Sequence, residues 1–377
     1  MIYIALISIF LLMNYILLYA ILFSNSSKQK KQNSNTEFKK ISVIIPFRNE
    51  AQNIPNLIHS LNQLSYPLKL WEVIFVDDSS EDYSKEILET SLKEVHFQYR
   101  ILSLSDKFGK KEALKAGFSL AQGEIIIQSD ADCQFSPEWL QMHSNAYSSE
   151  AIKLVCGAVM FNPPKKLFDH LQQAEIMALM TTSKMTIEAG KPLMCNAANM
   201  SFCKSILPLV LDTFKQTKHS SGDDVFLLHR TNSEYGAKAI SYLTETKSLV
   251  LTNPLSSLHD FLMQRSRWAS KTKTYSSSFA QFFAALIFLA NMAFYLAFVY
   301  LIFFCKKLCI ISFIAILSKF LIDILTVISF QKTYKIKTPK YQFSTLILLE
   351  LLYPVYLISV LIFSILKPAV WKGREIR

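Results

Sequence analysis

Residues 71–80 read WEVIFVDDSS and residues 124–132 read EIIIQSDAD, and these two stretches decide the fold. Each is a short apolar run, rich in β-branched and aromatic residues, that ends abruptly in aspartates. Runs apolar on both faces predict strands buried in a parallel sheet. ISVIIPF (41–47) is a third such run, bounded by Pro46, and QYRILSL (98–104) is a further short strand. Between the runs the period changes. Ile54, Leu57, Ile58 and Leu61 predict a helix within Asn49–Leu64, and Ile87, Leu88, Leu92 and Val95 predict one within 84–95. KKEALKAGFSLAQ (110–122) is a third, with Gly123 as its C-cap. The alternation predicts one α/β domain over residues 41–275, a mainly parallel sheet covered by helices. Ligands of such sheets bind beyond the carboxyl ends of the strands, where both acidic clusters fall.

Composition narrows the classes. Of 377 residues, 51% are hydrophobic, including 28 Phe and 16 Tyr, and the mean hydropathy is +0.24. So apolar an average places some segments in lipid. The eight glycines are never closer than six positions, which excludes both the dinucleotide-binding G-x-G-x-x-G and the P-loop. Six cysteines (Cys133, Cys156, Cys195, Cys203, Cys305, Cys309) form no C-x-x-C pair, so neither a zinc site nor a disulfide framework is indicated. His219 and His229 have no partner at ligand spacing and are expected on a polar surface. The formal charge of +11 is uneven: residues 1–40 carry a net +4, residues 279–377 a net +8, and residues 41–278 a net −1. The basic excess therefore flanks the apolar segments, where anionic headgroups attract it, and nucleic acid is not expected as a partner.

Residues 2–23 carry no charge and are long enough to cross about 30 Å of hydrocarbon. Nothing basic precedes them, and Lys28, Lys30 and Lys31 follow, which favours a retained anchor (1–24) and a basic juxtamembrane linker (25–40) over a cleaved signal peptide. In the C-terminal membrane region, 276–377, candidate spans are 279–304, 309–330 and 344–366. Lys332, Lys335, Lys337 and Lys340 mark the loop 331–343 as cytoplasmic. Four spans would put Lys372, Arg374 and Arg377 outside, and Glu350 and Pro354 allow a re-entrant last segment, so two or three C-terminal helices and three or four spans in all are expected. Lys319 and Asp323 share a helix face and read as a mutually neutralising pair rather than a transport site. The expected location is the plasma (inner) membrane, multi-pass, with the catalytic domain cytoplasmic.

Asp130 and Asp132 flank one residue after a buried strand. In extended chain both carboxylates face the same side and can meet one ion. Hard Mg²⁺ or Mn²⁺ takes one or two carboxylates and completes its shell with water and phosphate oxygens. Asp77 and Asp78 end another strand, and two such acidic ends repel unless a cation or hydrogen-bonding ligand lies between them. As the alternative, Asp78, Asp223 and Asp224 could simply cap the helices that follow them.

SVIIPFRNE (42–50), VIFVDDSSED (73–82), KKEALKAG (110–117), SDADCQFSPEWL (129–140), CNAANMSF (195–202), GDDVFLLHR (222–230) and QRSRW (264–268), in this order, resemble the motifs of family-2 inverting glycosyltransferases. The resemblance implies the GT-A fold with flanking transmembrane helices, and a membrane-bound enzyme with a metal-dependent site. It implies that Asp77 and Asp78 hold the uracil and ribose of a UDP-sugar. Asp130 and Asp132 would be the metal-binding D-x-D, holding the diphosphate through Mg²⁺ or Mn²⁺. Asp224 matches the catalytic carboxylate, with Asp223 beside it on the acceptor side where the family often has Glu. Gln264, Arg267 and Trp268 match Q-x-x-R-W, the first two toward the donor and Trp268 toward the acceptor. Ser79 stands where the family often has Gly, and Lys115 replaces a frequent Asn.

These residue types suit the chemistry. Displacing UDP from an anomeric carbon builds negative charge on the diphosphate, which a divalent ion and Arg267 can stabilise. An acceptor hydroxyl needs a carboxylate to take its proton, and a single such base implies inversion. A Trp ring offers an apolar face for a sugar. The leading expectation is transfer from a UDP-sugar, glucose or N-acetylglucosamine, to a lipid or lipid-linked glycan during cell-envelope glycan synthesis. Three or four spans are few for a polymer channel, which sets a processive polysaccharide synthase subunit second. A non-catalytic nucleotide-sugar-binding scaffold comes third, and export or synthase-complex subunits are the protein partners to be sought.

Overall fold

The structure is a computed structural model, and it describes residues 2–26, 38–216, 223–271, 274–275, 277–304, 309–339, 342–366, 369–371 and 374–376. His219 lies outside the described residues. The strands are β1 (Ile41–Phe47), β2 (Trp71–Asp77), β3 (Gln98–Ser103), β4 (Ile125–Gln128), β5 (Gln134–Phe135), β6 (Leu154–Cys156), β7 (Val159–Phe161), β8 (Met200–Cys203), β9 (Ile240–Tyr242), β10 (Val250–Thr252), β11 (Ala369–Trp371) and β12 (Arg374–Ile376). The helices are α1 (Ile2–Ser26), α2 (Ile54–Asn62), α3 (Ser84–Ser91), α4 (Lys110–Leu120), α5 (Trp139–Ala146), α6 (Leu167–Glu188), α7 (Leu207–Gln216), α8 (Asp223–Tyr235), α9 (Leu258–Ala269), α10 (Ser278–Phe304), α11 (Cys309–Tyr334) and α12 (Gln342–Leu366). They form two compact units that alternate along the chain. One comprises residues 30–163, 194–254 and 368–377; the other comprises 1–29, 164–193 and 255–367.

The first unit is built on a seven-stranded sheet of order β3-β2-β1-β4-β8-β6-β9. β1, β2, β3 and β4 run parallel, and β8 runs antiparallel to β4 and β6. Every residue of β1 and β2 is buried, as continuous apolar runs in a covered parallel sheet require. The edge strand β3 is half exposed, and its Arg100 bonds Glu72 at 2.5 Å. The burial of Glu72 raises its carboxyl pKa, but the Ser42 hydroxyl, the Gln122 amide and Arg100 bring it below the usual range overall. A small second sheet, β5-β10-β7, joins residues after β4 to β7 and to Val250–Thr252.

Three local readings of strands and helices differ in the structure. The helix expected from Asn49 begins at Ile54, because Asn49 adopts a left-handed backbone (φ 52°) that ends β1 in a turn. Gly123 is not a left-handed C-cap. α4 runs out through the extended Ala121, and Gly123 passes so close to β1 that a Cβ would sit 2.4 Å from the Ser42 nitrogen. Its missing side chain serves backbone approach rather than conformation. The two acidic strand ends belong to β2 and β4, which lie on either side of β1 rather than side by side.

The second unit contains α1, α6 and α9–α12. Four of its helices, over 3–26, 278–303, 310–334 and 342–366, are long and apolar enough to cross a membrane. The segment containing Glu350 and Pro354 is one continuous helix. Residues 164–193 and 255–275, read from sequence as part of the α/β domain, group with this unit. α6 buries Gln172, Gln173, Glu175, Thr181, Thr182, Ser183 and Thr186 against its neighbours. Thr182 shares a 3.0 Å bond with Tyr19, and Thr181 donates to the Thr326 carbonyl at 2.9 Å. Lys319 bonds Asp323 as its spacing predicts (2.7 Å), and also Glu350 on α12 (2.5 Å), while the Tyr15 hydroxyl donates to Asp323.

Candidate active site

The chain builds β1, β2 and β3 outward in one direction and then returns to place β4 on the other side of β1. The sheet thus has a topological switch point, where open α/β sheets bind ligands. The β2–α3 turn lies at this end. Asp77 Oδ1 accepts from the Ser80 amide (2.9 Å) and hydroxyl (2.7 Å). Asp78, fully buried, accepts the Gly109 amide at 2.7 Å, and Gly109 adopts φ 110°, which favours glycine. Ser79 is left-handed (φ 53°), which explains why glycine suits this position in the resembling motif. A buried guanidinium holds the turn: Arg48 donates to the Asp78 carbonyl (2.9 Å), to the Ser79 carbonyl and to Glu81 (2.7 Å). Sequence reading gave Arg48 no role, although a charge directly after a fully buried strand is a signal in itself.

Asp130 and Asp132 do not lie on an extended strand. β4 ends at Gln128, and the Cys133 amide closes a turn onto the Asp130 carbonyl at 3.2 Å. Asp132 accepts from the Thr252 hydroxyl at 2.9 Å and Asp130 is ion-paired with Lys110. Burial, with the fields of Asp132 and Asp130, pushes the Cys133 thiol well above its usual range, so it stays an S–H donor. Among the described residues no group of three or more His, Cys, Asp or Glu side chains converges as a complete metal cage. Two carboxylates on one turn fit a divalent ion whose remaining ligands come from phosphate and water.

Lys110 and Lys111 open α4, where cations oppose the helix dipole. Each is offset by a carboxylate: Lys110 by Asp130, and Lys111 by Asp223 at 3.5 Å. They tie the acidic turn after β4 and the start of α8 to one helix end, a role that sequence reading left unassigned. Asp224 Oδ2 accepts the Ala197 amide at 3.1 Å, and Oδ1 accepts the Val225 amide at 2.9 Å. In the same 196–199 turn the Ala198 carbonyl accepts the Ser129 hydroxyl at 2.7 Å. Ser129 immediately precedes Asp130, so one turn supports both Asp224 and the D-x-D. His229, expected on a polar surface, is buried in α8 because its face packs inward with Val225 and Leu228.

Asn199 anchors that turn. Its oxygen receives the Trp139 indole and the His143 imidazole, each at 3.1 Å, and its amide donates to the Ala158 (2.7 Å) and Ser248 (2.8 Å) carbonyls. Burial depresses the His143 pKa to about 4, with the Asn199 bond opposing. Between about pH 6.5 and 4 the unfolded chain binds a proton that the folded unit refuses, so stability is full above this window and falls by about 3 kcal/mol across it. The thermal midpoint should drop over this range in the unsubstituted protein and markedly less in His143→Gln. Equal pH dependence would refute the assignment.

Gln264, Arg267 and Trp268 lie on α9, in the helical unit. Gln264 accepts from Arg265, and the Arg265 guanidinium lies 4.3 Å from the Trp268 ring. Asp77, Asp78, Asp130, Asp132, Asp223 and Asp224 all belong to the sheet unit. The structure thus gathers the six aspartates in one unit and carries the Q-x-x-R-W residues on the other.

Residues 42–208 match the family model described as Glycosyl transferase family 2. A stretch of 101 residues is 38% identical to the undecaprenyl-phosphate 4-deoxy-4-formamido-L-arabinose transferase of Salmonella paratyphi B, covering 26% of this chain and 31% of that protein. The corresponding transferase of Salmonella enteritidis matches with the same identity and coverage. The match therefore spans about a third of these relatives' length. Among solved structures, a mannosyltransferase from Pyrobaculum calidifontis in complex with GDP-Man and Mn²⁺ superposes with a TM-score of 0.61 at 15% identity, covering 97% of this chain and 98% of that one.

Proposed function

Because the chain is a family-2 glycosyltransferase with the GT-A fold and membrane helices, we propose that it is an inverting enzyme that moves a sugar from a UDP-sugar to a lipid-borne acceptor. The observation that carries this is the 196–199 turn, which hydrogen-bonds Asp224 through Ala197 and, through Ala198 and Ser129, the start of the D-x-D. A carboxylate for the acceptor and a pair for the donor diphosphate are thereby built on one support. The lipid acceptor draws on the Salmonella relatives, whose name specifies undecaprenyl phosphate.

Asp130 and Asp132 would hold Mg²⁺ or Mn²⁺, which supplies charge neutralisation to the departing diphosphate when bound. Asp77 and Asp78 shape the turn that receives the nucleoside. Where the acceptor is a hydroxyl, Asp224 takes its proton as the bond from the anomeric carbon to the acceptor oxygen forms; a lipid phosphate oxygen is already anionic and forms that bond without it. The bond to the diphosphate breaks on the opposite face, and its electron pair leaves with UDP. Gln264 and Arg267 serve the donor, and Asp223 and Trp268 the acceptor. The lysines of 332–340 support a cytoplasmic location for the catalytic unit, by the positive-inside tendency.

The test uses membranes carrying the full chain, Mg²⁺ or Mn²⁺, and radiolabelled UDP-glucose, UDP-N-acetylglucosamine and GDP-mannose. UDP release with label in the solvent-extractable lipid fraction is the expected result. Label in a polymer would replace the lipid acceptor with a growing glycan, and label from GDP-mannose alone would overturn the UDP assignment.

A further inference from the structure

Arg265 sits inside the Q-x-x-R-W stretch at a position to which the motif assigns nothing. It is buried, and although burial is the largest single influence and lowers its pKa, the Glu175 carboxylate together with Tyr356 and Tyr353 carries it above the usual value. Its Nε and Nη2 donate to Glu175 Oε2 at 3.0 and 2.6 Å, and its Nη1 donates to Gln264 Oε1. Glu175, also buried, accepts the Tyr356 hydroxyl at 2.7 Å on its other oxygen. The guanidinium carbon lies over two rings, 4.3 Å from the centroid of Trp268 and 4.5 Å from that of Phe261. One side chain therefore touches two of the three motif residues, and its own pose is set from α6 and α12.

We propose that Arg265 is a positioning residue, which fixes the poses of Gln264 and Trp268 and is itself locked by Glu175 and Tyr356. This rests on the glycosyltransferase reading for its consequence in catalysis, but not for its geometry. An ion pair serving only to hold α9 would need charge alone. Bonding Glu175 and Gln264 together while stacking on Trp268 needs a planar fork, which lysine lacks. Arg265→Lys therefore separates the two roles.

The chain has four tryptophans, so 5-fluorotryptophan labelling in lipid nanodiscs gives a fluorine spectrum in which Trp268→Phe identifies the Trp268 signal. In Arg265→Lys and in Glu175→Gln the Trp268 signal should move; the thermal midpoint should stay within a few degrees in Arg265→Lys, which keeps the ion pair, and fall further in Glu175→Gln, which leaves the guanidinium uncompensated. In the same variants kcat/KM should fall about ten- to a hundredfold, as misplacing a positioning group does. A Trp268 signal unmoved in both folded variants overturns the proposal whatever the activity. So does a moved signal with kcat/KM unchanged, or failure of both variants to fold, which would make the pair a structural strut. If the signal moves but the unsubstituted chain turns over no nucleotide-sugar, the positioning geometry stands and the proposed function fails.

Discussion

Asp224→Asn should lower transfer to a hydroxyl acceptor about a thousandfold, within the span that a general base contributes, and leave donor binding intact. The asparagine keeps one oxygen, which can still accept the Ala197 amide and hold the 196–199 turn that supports Ser129 and Asp130, while the Val225 amide in the first turn of α8 loses its side-chain acceptor. What disappears is the ability to take a proton. The substitution also sorts acceptors by their chemistry. A hydroxyl must lose its proton during attack, whereas a lipid phosphate oxygen is already anionic near neutral pH and needs no base. Turnover measured with both acceptors, alongside equilibrium binding of UDP, checks this. Wild-type rates on a hydroxyl acceptor would remove Asp224 from the mechanism. A large loss confined to hydroxyl acceptors would assign it the base role.

Lys319→Met should destabilise the helical unit by about 3–5 kcal/mol, because removing one partner leaves uncompensated buried charge. Lys319 is 1% exposed, and its ammonium bonds both Asp323 and Glu350. Methionine fills a similar volume, so lost packing contributes little. Neutralising all three, as Lys319→Met with Asp323→Asn and Glu350→Gln, should recover most of the loss. Thermal midpoints in a fixed detergent or lipid disc measure both effects. A single variant as stable as the unsubstituted protein would show that the cluster is solvated and contributes nothing.

How far the sequence led can be followed residue by residue. β1, β2 and β4 were legible because buried parallel strands leave an unbroken apolar run, and the membrane helices because lipid demands length and apolarity together. Lys319 with Asp323 was visible at a spacing of four, but Glu350 is 31 positions away and only tertiary packing brings it in. The D-x-D spacing located the carboxylates, but their conformation is set by the turn closed at Cys133. Gly123 resembled a helix cap because glycine serves both left-handed turns and close backbone approach, and composition does not separate the two. The roles of Arg48, Lys110 and Arg265 have no local signature for one reason: each acts through partners far along the chain, at Ser79, Asp130 and Glu175. Nothing in the composition of α6 separates it from the α/β domain, because its Thr, Gln and Glu residues are those of a soluble helix. Their partners are Tyr19, Thr326, Arg265 and Tyr356.

That last arrangement has a consequence for biosynthesis. Glu175 emerges from the ribosome 90 residues before Arg265 and 181 before Tyr356. At about 5–20 residues per second, α6 waits on the order of ten seconds or more with a polar face unmatched. The nascent chain must also pass between the two units five times, since their segments alternate from residue 30 to residue 368. No single cut releases either unit whole, and cutting before residue 276 leaves α6 and α9 with only α1 of the four long helices of their own unit. A chaperone or insertase that shelters the half-made helical unit would therefore govern yield, and slowing translation after residue 188 should increase degradation rather than improve folding.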